Sequence, residues 1–301
     1  MDEFFAAIDD GNTSAVRAFL ERDSSLANAV KIMTSRPKPH LEEEDARCES
    51  GFPREPPLLA KPRPPFTNTA LQTAVRSRHL DIVRLLLEFG ADVNATAEYR
   101  SPALLVAMQS HEVNLDLVRV LVEAGADVNA RDKSYNTPLN SAFRWNQDVL
   151  SVVELLLAHG ADVNARTEQR RTPLDRAVLY LASPAIDHVR LIETLLRFGA
   201  NPNPPRRDEE DPGPPLCTVV RSGNIRIVRM LIEAGADVNA ADRWRTPLTC
   251  AAEKGFDQIV ELLLDAGADP SVRDPKGCTP IELVVPLEEM TNHFERLLEQ
   301  G

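Results

Sequence analysis

A glycine closes an apolar run at positions 90, 125, 160, 199, 235, 267 and 301, at intervals of 35, 35, 39, 36, 32 and 34 residues. A recurrence near 33 constrains the fold more tightly than any composition value, because it marks a chain built from stacked copies of one small unit. The copy at residues 246–269, TPLTCAAEKGFDQIVELLLDAGAD, shows what that unit is. Thr246 supplies a capping oxygen and Pro247 suits the first helical position, where an amide hydrogen has no partner. Leu248, Ala251 and Ala252 lie at helical spacing, and the alanines keep the helix thin enough for close packing. Gly255 breaks the run. A second helix carries Ile259, Val260, Leu263 and Leu264 as an apolar double stripe, and Gly267 ends it in the left-handed conformation. Four or five large aliphatics yield roughly 1.5–3 kcal/mol each on burial, against about 1–2 kcal/mol per residue for ordering the backbone. One helical hairpin therefore cannot stand alone.

TPLNSA at 137–142, TPLDRA at 172–177, TPLTCA at 246–251 and TPIELV at 279–284 share the pattern, and GADVNA follows Phe89, Ala124, His159 and Ala234. These motifs resemble the ankyrin repeat over almost the whole chain. The resemblance implies an all-α solenoid of about eight helical hairpins, atypical at its ends. It also implies a concave face of turn tips and inner helices that binds other proteins. The GAD carboxylates Asp127, Asp162, Asp237 and Asp269 then bond the turn backbone. The asparagines Asn94, Asn129, Asn164 and Asn239 hold the turn, and they resemble family positions that oxygenases hydroxylate.

The expected organisation is a single repeat domain over 1–301, since an array grows without one central core. Residues 1–30 form an N-terminal capping repeat, with Phe4, Phe5, Ala7 and Ile8 ahead of Gly11 and Val16, Phe19 and Leu20 behind it. Residues 31–66 lose the periodicity. They combine eight prolines with the acidic run 42–45, a composition that opposes a packed core, so they read as a Pro-rich insertion. It serves as a tolerated surface loop, a docking flap, or a pseudo-ligand whose Glu42, Glu43, Glu44 and Asp45 lie on basic groups. Central repeats fill 67–272, with extra residues between helices in the third to fifth repeats and a second Pro-rich acidic finger around 208–211. Residues 273–301 close the stack, interrupted by Pro286.

The net charge of −12 and pI of about 5.1 argue against general nucleic-acid or anionic-membrane binding. Cys48, Cys217, Cys250 and Cys278 show no metal spacing and no dense framework, which favours a reducing compartment and free thiols. The N-terminal apolar run is too short for a signal peptide, and a soluble, cytoplasmic monomer is expected. Asn12-Thr13-Ser14 fits a glycosylation acceptor by chance. The sequence contains no nucleophile elbow, P-loop, GxGxxG, HExxH or EF-hand loop, so neither an enzyme nor a cofactor is expected. His40, His79, His111, His159, His188 and His293 are scattered and read as solvated surface side chains rather than metal ligands.

Rare residue types supply the functional signal. The slots before TPL and after its alanine hold Tyr99, Arg100, Lys133, Tyr135, Asn136, Arg144, Trp145, Arg170, Arg171, Tyr180, Arg243, Trp244 and Arg245, with Arg76, Arg221 and Lys254 beside them. Both Trp and all three Tyr of the chain fall there. Trp, Tyr and Arg dominate binding hot spots because they bury large areas and still offer a directional polar group. The expected function is a non-catalytic scaffold that holds an acidic or extended segment of another protein, centred on repeats three to five. The alternative is a small-ligand binder or unrecognised enzyme that uses the same groove beneath the 31–66 insertion.

Overall fold

The computed structural model describes residues 1–33, 66–96, 101–110, 113–143, 149–179, 187–205, 213–243, 245–273, 277 and 279–283. Most of the insertion, the joints at 111–112, 144–148 and 180–186, the finger at 206–212, Cys278 and the closing residues 284–301 lie outside them. The chain divides into two compact units, residues 1–107 with 119–127 and residues 108–118 with 128–301.

The first unit opens with α1 (Asp2–Asp9) and α2 (Thr13–Arg22), in which Phe4, Phe5, Ile8, Val16 and Leu20 are all buried. The apparent glycosylation site has a structural use: Asn12 is the N-cap of α2, its Oδ1 accepting the Ala15 N–H at 3.0 Å. A short 3-10 turn (Ser24–Asn28) follows. The two flanks of the insertion then zip together. Strand β1 (Val30–Met33) pairs antiparallel with β2 (Phe66–Thr69), with Val30 opposite Thr69 and Met33 opposite Phe66. This ribbon is an addition to the all-α expectation, since the flanks VKIM and FTNT are too short to announce a pairing across the intervening residues. Thr69 ends β2 and also caps α3 (Ala70–Arg76). Its Oγ1 accepts the Gln72 N–H at 3.1 Å while Gln72 Oε1 accepts the Thr69 N–H at 2.8 Å, a reciprocal capping box. Helix α4 (Leu80–Glu88) buries Ile82, Val83, Leu85 and Leu86, and α3 and α4 pack against α1 and α2 respectively. Helices α5 (Ala103–Met108) and α6 (Leu115–Glu123) span the division between the units.

In the second unit the helices alternate between two layers. One contains α7 (Pro138–Ser141), α9 (Pro173–Leu179), α11 (Pro215–Ser222), α13 (Pro247–Lys254) and α15 (Pro280–Leu283), each packing on the next. The other contains α8 (Val149–Ala158), α10 (His188–Arg197), α12 (Ile225–Glu233) and α14 (Asp257–Asp265), likewise in series. The caps follow the residues that announce them. Thr246 Oγ1 accepts the Thr249 N–H at 3.1 Å, Pro247 occupies the first turn, and Gly255 and Gly267 end the two helices at φ +67° and +88°. Leu248, Ala251, Ile259, Val260 and Leu263 are almost wholly buried. His188 corrects the reading of scattered surface histidines. It is only 9% exposed, because it opens α10, which packs against both α8 and α9.

An asparagine ladder joins consecutive repeats within each unit. In the first, Asn28 Nδ2 donates to the Gly90 carbonyl at 3.1 Å while its Oδ1 accepts the Asp92 N–H at 2.8 Å. Asn94 does the same to Gly125 and Asp127 at 3.0 and 2.8 Å. In the second unit Asn129 bridges to Gly160 and Asp162, Asn164 to Gly199 and Asn201, Asn203 to Gly235 and Asp237, and Asn239 to Gly267 and Asp269. The neighbouring carboxylates are structural, as expected from the GAD motif: Asp162 and Asp237 each accept the N–H two residues on, at 2.9 Å. Asn28 and Asn203 are rungs that the motif reading did not include. Replacing Asn164 by Ala deletes a donor and an acceptor at once. Urea denaturation followed by circular dichroism should show a loss of about 1–3 kcal/mol, two bonds at roughly 0.5–1.5 kcal/mol each.

Candidate functional site

In the second unit the turns before TPL stand out as fingers. In the fourth repeat the Asp132 N–H donates to the Asn136 carbonyl and the Tyr135 N–H to the Asp132 carbonyl, both at 3.1 Å. Asp132 ties the inside of the finger, its Oδ1 accepting the Ser134 and Asn136 N–H groups at 2.9 and 2.8 Å. Closing so tight a loop puts Tyr135 at φ +58°, a left-handed conformation disfavoured for a residue with a Cβ. The fifth repeat repeats the geometry. The Thr167 N–H donates to the Arg171 carbonyl at 3.1 Å, the Arg170 N–H to the Thr167 carbonyl at 2.8 Å, and Arg170 again sits at φ +58°. The fingers are linked by the Glu168 N–H, which donates to the Ser134 carbonyl at 3.0 Å, and by Arg176, whose Nη2 donates to Asn136 Oδ1 at 3.1 Å. Tyr135 is 56% exposed. In the seventh repeat the finger is one residue shorter, closed by the Asp242 N–H on the Arg245 carbonyl at 2.9 Å.

Between α9 and α11 lies a half-open pocket of about 160 Å³. Arg171, Asp175, Val178 and Leu179 line one side; Gly213, Thr218 and Arg221 line the other. Asp175 is 3% exposed and caps its own helix, with Oδ2 accepting the Thr172 N–H at 2.7 Å and the Thr172 hydroxyl at 2.9 Å. Burial pushes its carboxyl above the usual 3.8, while the Thr172 hydrogen bonds and the nearby Arg171 and Arg166 guanidinium groups pull the other way. Arg221 is ion-paired with Asp242 and reaches the Thr218 hydroxyl at 3.4 Å. Asp242 is itself fixed, accepting the Arg245 N–H at 2.8 Å. Gly213 is close enough to Asp242 that an added Cβ would meet the Asp242 Cβ at 2.8 Å, so this wall tolerates no side chain there.

The expected site residues distribute unevenly. Arg171 and Arg221, from successive repeats, meet at one pocket. Lys133 and Tyr135 are exposed and Arg170 half-buried on the linked fingers, and Arg243 is exposed on the short one. Arg245 is half-buried and ion-paired with Glu253. Tyr99, Arg100, Arg144, Trp145, Tyr180 and Trp244 lie outside the described residues. Asp175, Arg176, Thr218 and Asp242 are participants the sequence reading missed. A signal existed for Asp175, which holds the fourth place of TPLD where Asn140 stands in TPLN. Cys217 and Cys250 are buried free thiols; Cys217 Sγ donates to the Ala240 carbonyl at 3.3 Å, and burial pushes its thiol up to about 12. Among the described residues no group of three His, Cys, Asp or Glu could hold a metal ion, and no helix is long and apolar enough to cross a membrane.

Stacked helix pairs, capped at TPL and laddered through asparagine, define a repeat solenoid, and the comparisons agree. The family model of ankyrin repeats in sets of three copies matches residues 4–132, 104–205 and 179–274, so the chain belongs to the ankyrin repeat family. Among solved structures it is similar to the human ASB11 ankyrin repeat domain, at 25% identity and a TM-score of 0.54, covering 75% of this chain and 96% of that one. It is similar also to an ankyrin repeat domain from Acinetobacter baumannii AYE, at 30% identity and a TM-score of 0.56, covering 66% and 98%. The ankyrin repeat domain of Bcl-3, a member of the IkappaB protein family, shares the fold at 24% identity and a TM-score of 0.59, covering 77% and 98%. No curated protein sequence matches the chain.

The Asp175 environment gives a pH test with a definite sign. A carboxyl whose pKa is higher in the folded protein than in the unfolded chain binds the extra proton when folded. Its ionisation therefore lowers stability as pH rises from 3.8 through the raised value. Asp175→Asn keeps an acceptor for Thr172 and has no charge to desolvate. Its urea midpoint should exceed that of the wild type at pH 7–8, and the gap should shrink as pH falls toward 3.8. A gap independent of pH would show that Asp175 ionises at no cost in its buried site.

Proposed function

We propose that the protein is a non-catalytic interaction scaffold that holds an acidic or extended segment of a partner protein on the linked fingers and adjoining inner helices of its second unit. The observation that carries this reading is the pair of left-handed tip positions. Glycine would occupy φ +58° without strain, yet one tip carries an exposed tyrosine and the next an arginine. Side chains retained against a local backbone cost of about 1–3 kcal/mol have a use outside the turn itself. An aromatic ring and guanidinium groups at adjacent tips suit recognition of an extended chain with carboxylates, the ring supplying area and the arginines direction. The net charge of −12 makes a basic surface a local arrangement, which selects one acidic segment rather than polyanions in general. The same reading has the protein working as a monomer in the cytoplasm, where Cys217 and Cys250 stay reduced.

Strain at the tips allows a clean test, because glycine removes the side chains and relaxes the backbone together. Tyr135→Gly combined with Arg170→Gly should leave thermal unfolding within about 1 kcal/mol of the wild type per site, relief of strain offsetting the entropy of glycine. Affinity purification with the wild-type chain, followed by mass spectrometry, should recover a partner that the doubly substituted chain loses. Raising salt from 50 to 500 mM should weaken the complex. A partner retained undiminished by the double glycine variant would remove the fingers from the recognition surface.

A further inference from the structure

The pocket between α9 and α11 has a division of polarity that the fingers lack. One carboxylate lines it, Asp175, 3% exposed and bonded to Thr172, and a second stands behind Arg221: the Asp242 side chain, 6% exposed and bonded to the Arg245 N–H and to Arg221. Its two guanidinium groups lie nearer solvent, Arg221 with a side chain 43% exposed and Arg171 half-buried. Both acids are committed, Asp175 to capping its helix and Asp242 to finger closure, and Asp242 also holds Arg221 by an ion pair. Among the described residues the Arg171 guanidinium forms no hydrogen bond; Arg171 is tied through its backbone, its N–H donating to Thr167 Oγ1 at 3.3 Å, and the guanidinium acts on Asp175 through charge. Thr218 adds a hydroxyl at the floor, beside Arg221. The remaining wall is apolar. Val178 is buried, but Leu179 is 46% exposed, a large aliphatic left partly in water at the rim of a polar pocket.

We infer that this pocket is a subsite for one carboxylate side chain of the bound segment, gripped by Arg171 and Arg221, with an apolar neighbour of that residue lying on Leu179. The inference rests on the scaffold reading above and narrows it to a partner motif, an acidic residue adjacent to an aliphatic one. The volume of about 160 Å³ suits a single Glu or Asp side chain and is too small for a nucleotide or a folded element. A carboxylate there completes a charge-assisted bond to Arg171 and meets Arg221 already held in place by Asp242, so little side-chain freedom is lost on binding. The hydroxyl of Thr218 donates to the same oxygen atoms. Covering Leu179 removes exposed aliphatic surface from water and gives the motif its second element. Because Arg171 follows Arg170 directly, a chain crossing the finger at Tyr135 and Arg170 arrives beside this pocket.

The test uses the full chain labelled with nitrogen-15, titrated with three probes: N-acetyl-Glu-Leu-amide, N-acetyl-Gln-Leu-amide and inorganic phosphate. The Glu-Leu probe should move the Nε–H signals of Arg171 and Arg221, and the Gln-Leu probe should move them about ten-fold less at equal concentration. Arg171→Met should abolish the response, and Arg171→Lys, which keeps the charge but not the planar fork, should weaken it several-fold. Equal responses to the Glu and Gln probes, or a response to phosphate as strong as that to Glu-Leu, would overturn the carboxylate-aliphatic motif. A response to Glu-Leu unaltered by Arg171→Met would place the binding elsewhere and sink the subsite. The two readings fail separately. If the double glycine finger variant loses its partner while wild-type protein ignores Glu-Leu, the scaffold stands and the subsite falls. If Glu-Leu binds while a recovered partner survives both the finger variant and Arg171→Met, the fingers and the pocket both lie outside the partner surface.

Discussion

Mutual burial of small helical hairpins is the constraint from which the rest follows. A unit such as α13 and α14 contributes Leu248, Ile259, Val260 and Leu263, all nearly inaccessible, and they are inaccessible because neighbouring helices cover them. No single repeat could keep those side chains dry. Burial alone is non-directional, however, and would allow one repeat to slide along another. The asparagine ladder fixes that register. Each rung spends both ends of one amide on the next repeat, a carbonyl accepting from Nδ2 and an N–H donating to Oδ1, so displacement by one residue would break two bonds together.

The division of labour between greasy stacking and polar register explains where functional freedom lies. Helix interiors are committed to packing and the turn asparagines to alignment. The fingers and the outer ends of the inner helices carry less of either burden, joined across repeats by the Glu168 N–H on the Ser134 carbonyl and by Arg176 on Asn136. There Tyr135 and Arg170 occupy backbone positions that suit glycine, and Arg171 and Arg221 converge from successive repeats around carboxylates already used for structure. Asp175 and Asp242 show how economical the arrangement is. Each serves as a cap or closes a finger and, in the same place, sets the electrostatic surroundings of an arginine.

What the amino-acid sequence disclosed is what local stereochemistry encodes. Thr-Pro starts, closing glycines and i, i+4 aliphatics each act within a few residues, and α13, α14 and their two glycine ends lie where those rules put them. The ladder was legible only where DVNA spelled it out. Asn28 and Asn203 make the same bonds inside SLANAV and NPNP, contexts that resemble the motif too little to declare themselves. The ribbon was hidden because four-residue strands pair only with each other and say nothing alone. His188 was misjudged because a scattered histidine has no pattern from which its packing can be read. The pocket needed knowledge of which helices touch: Arg171 and Arg221 were each visible as candidates, but their convergence belongs to the packing of α9 against α11.

The ribbon carries an implication for how such a chain diversifies. Val30 faces Thr69, and Thr69 in turn caps α3, so the backbone departs and returns through a gate whose far post is the first turn of a helix. Strand neighbours sit about 5 Å apart, and lengthening a closed loop adds free energy only logarithmically. Cargo of almost any length could therefore be spliced behind that gate without loosening the repeats. It makes the position a natural graft port, where lineages or engineers can trade one appendage for another and leave the spine untouched.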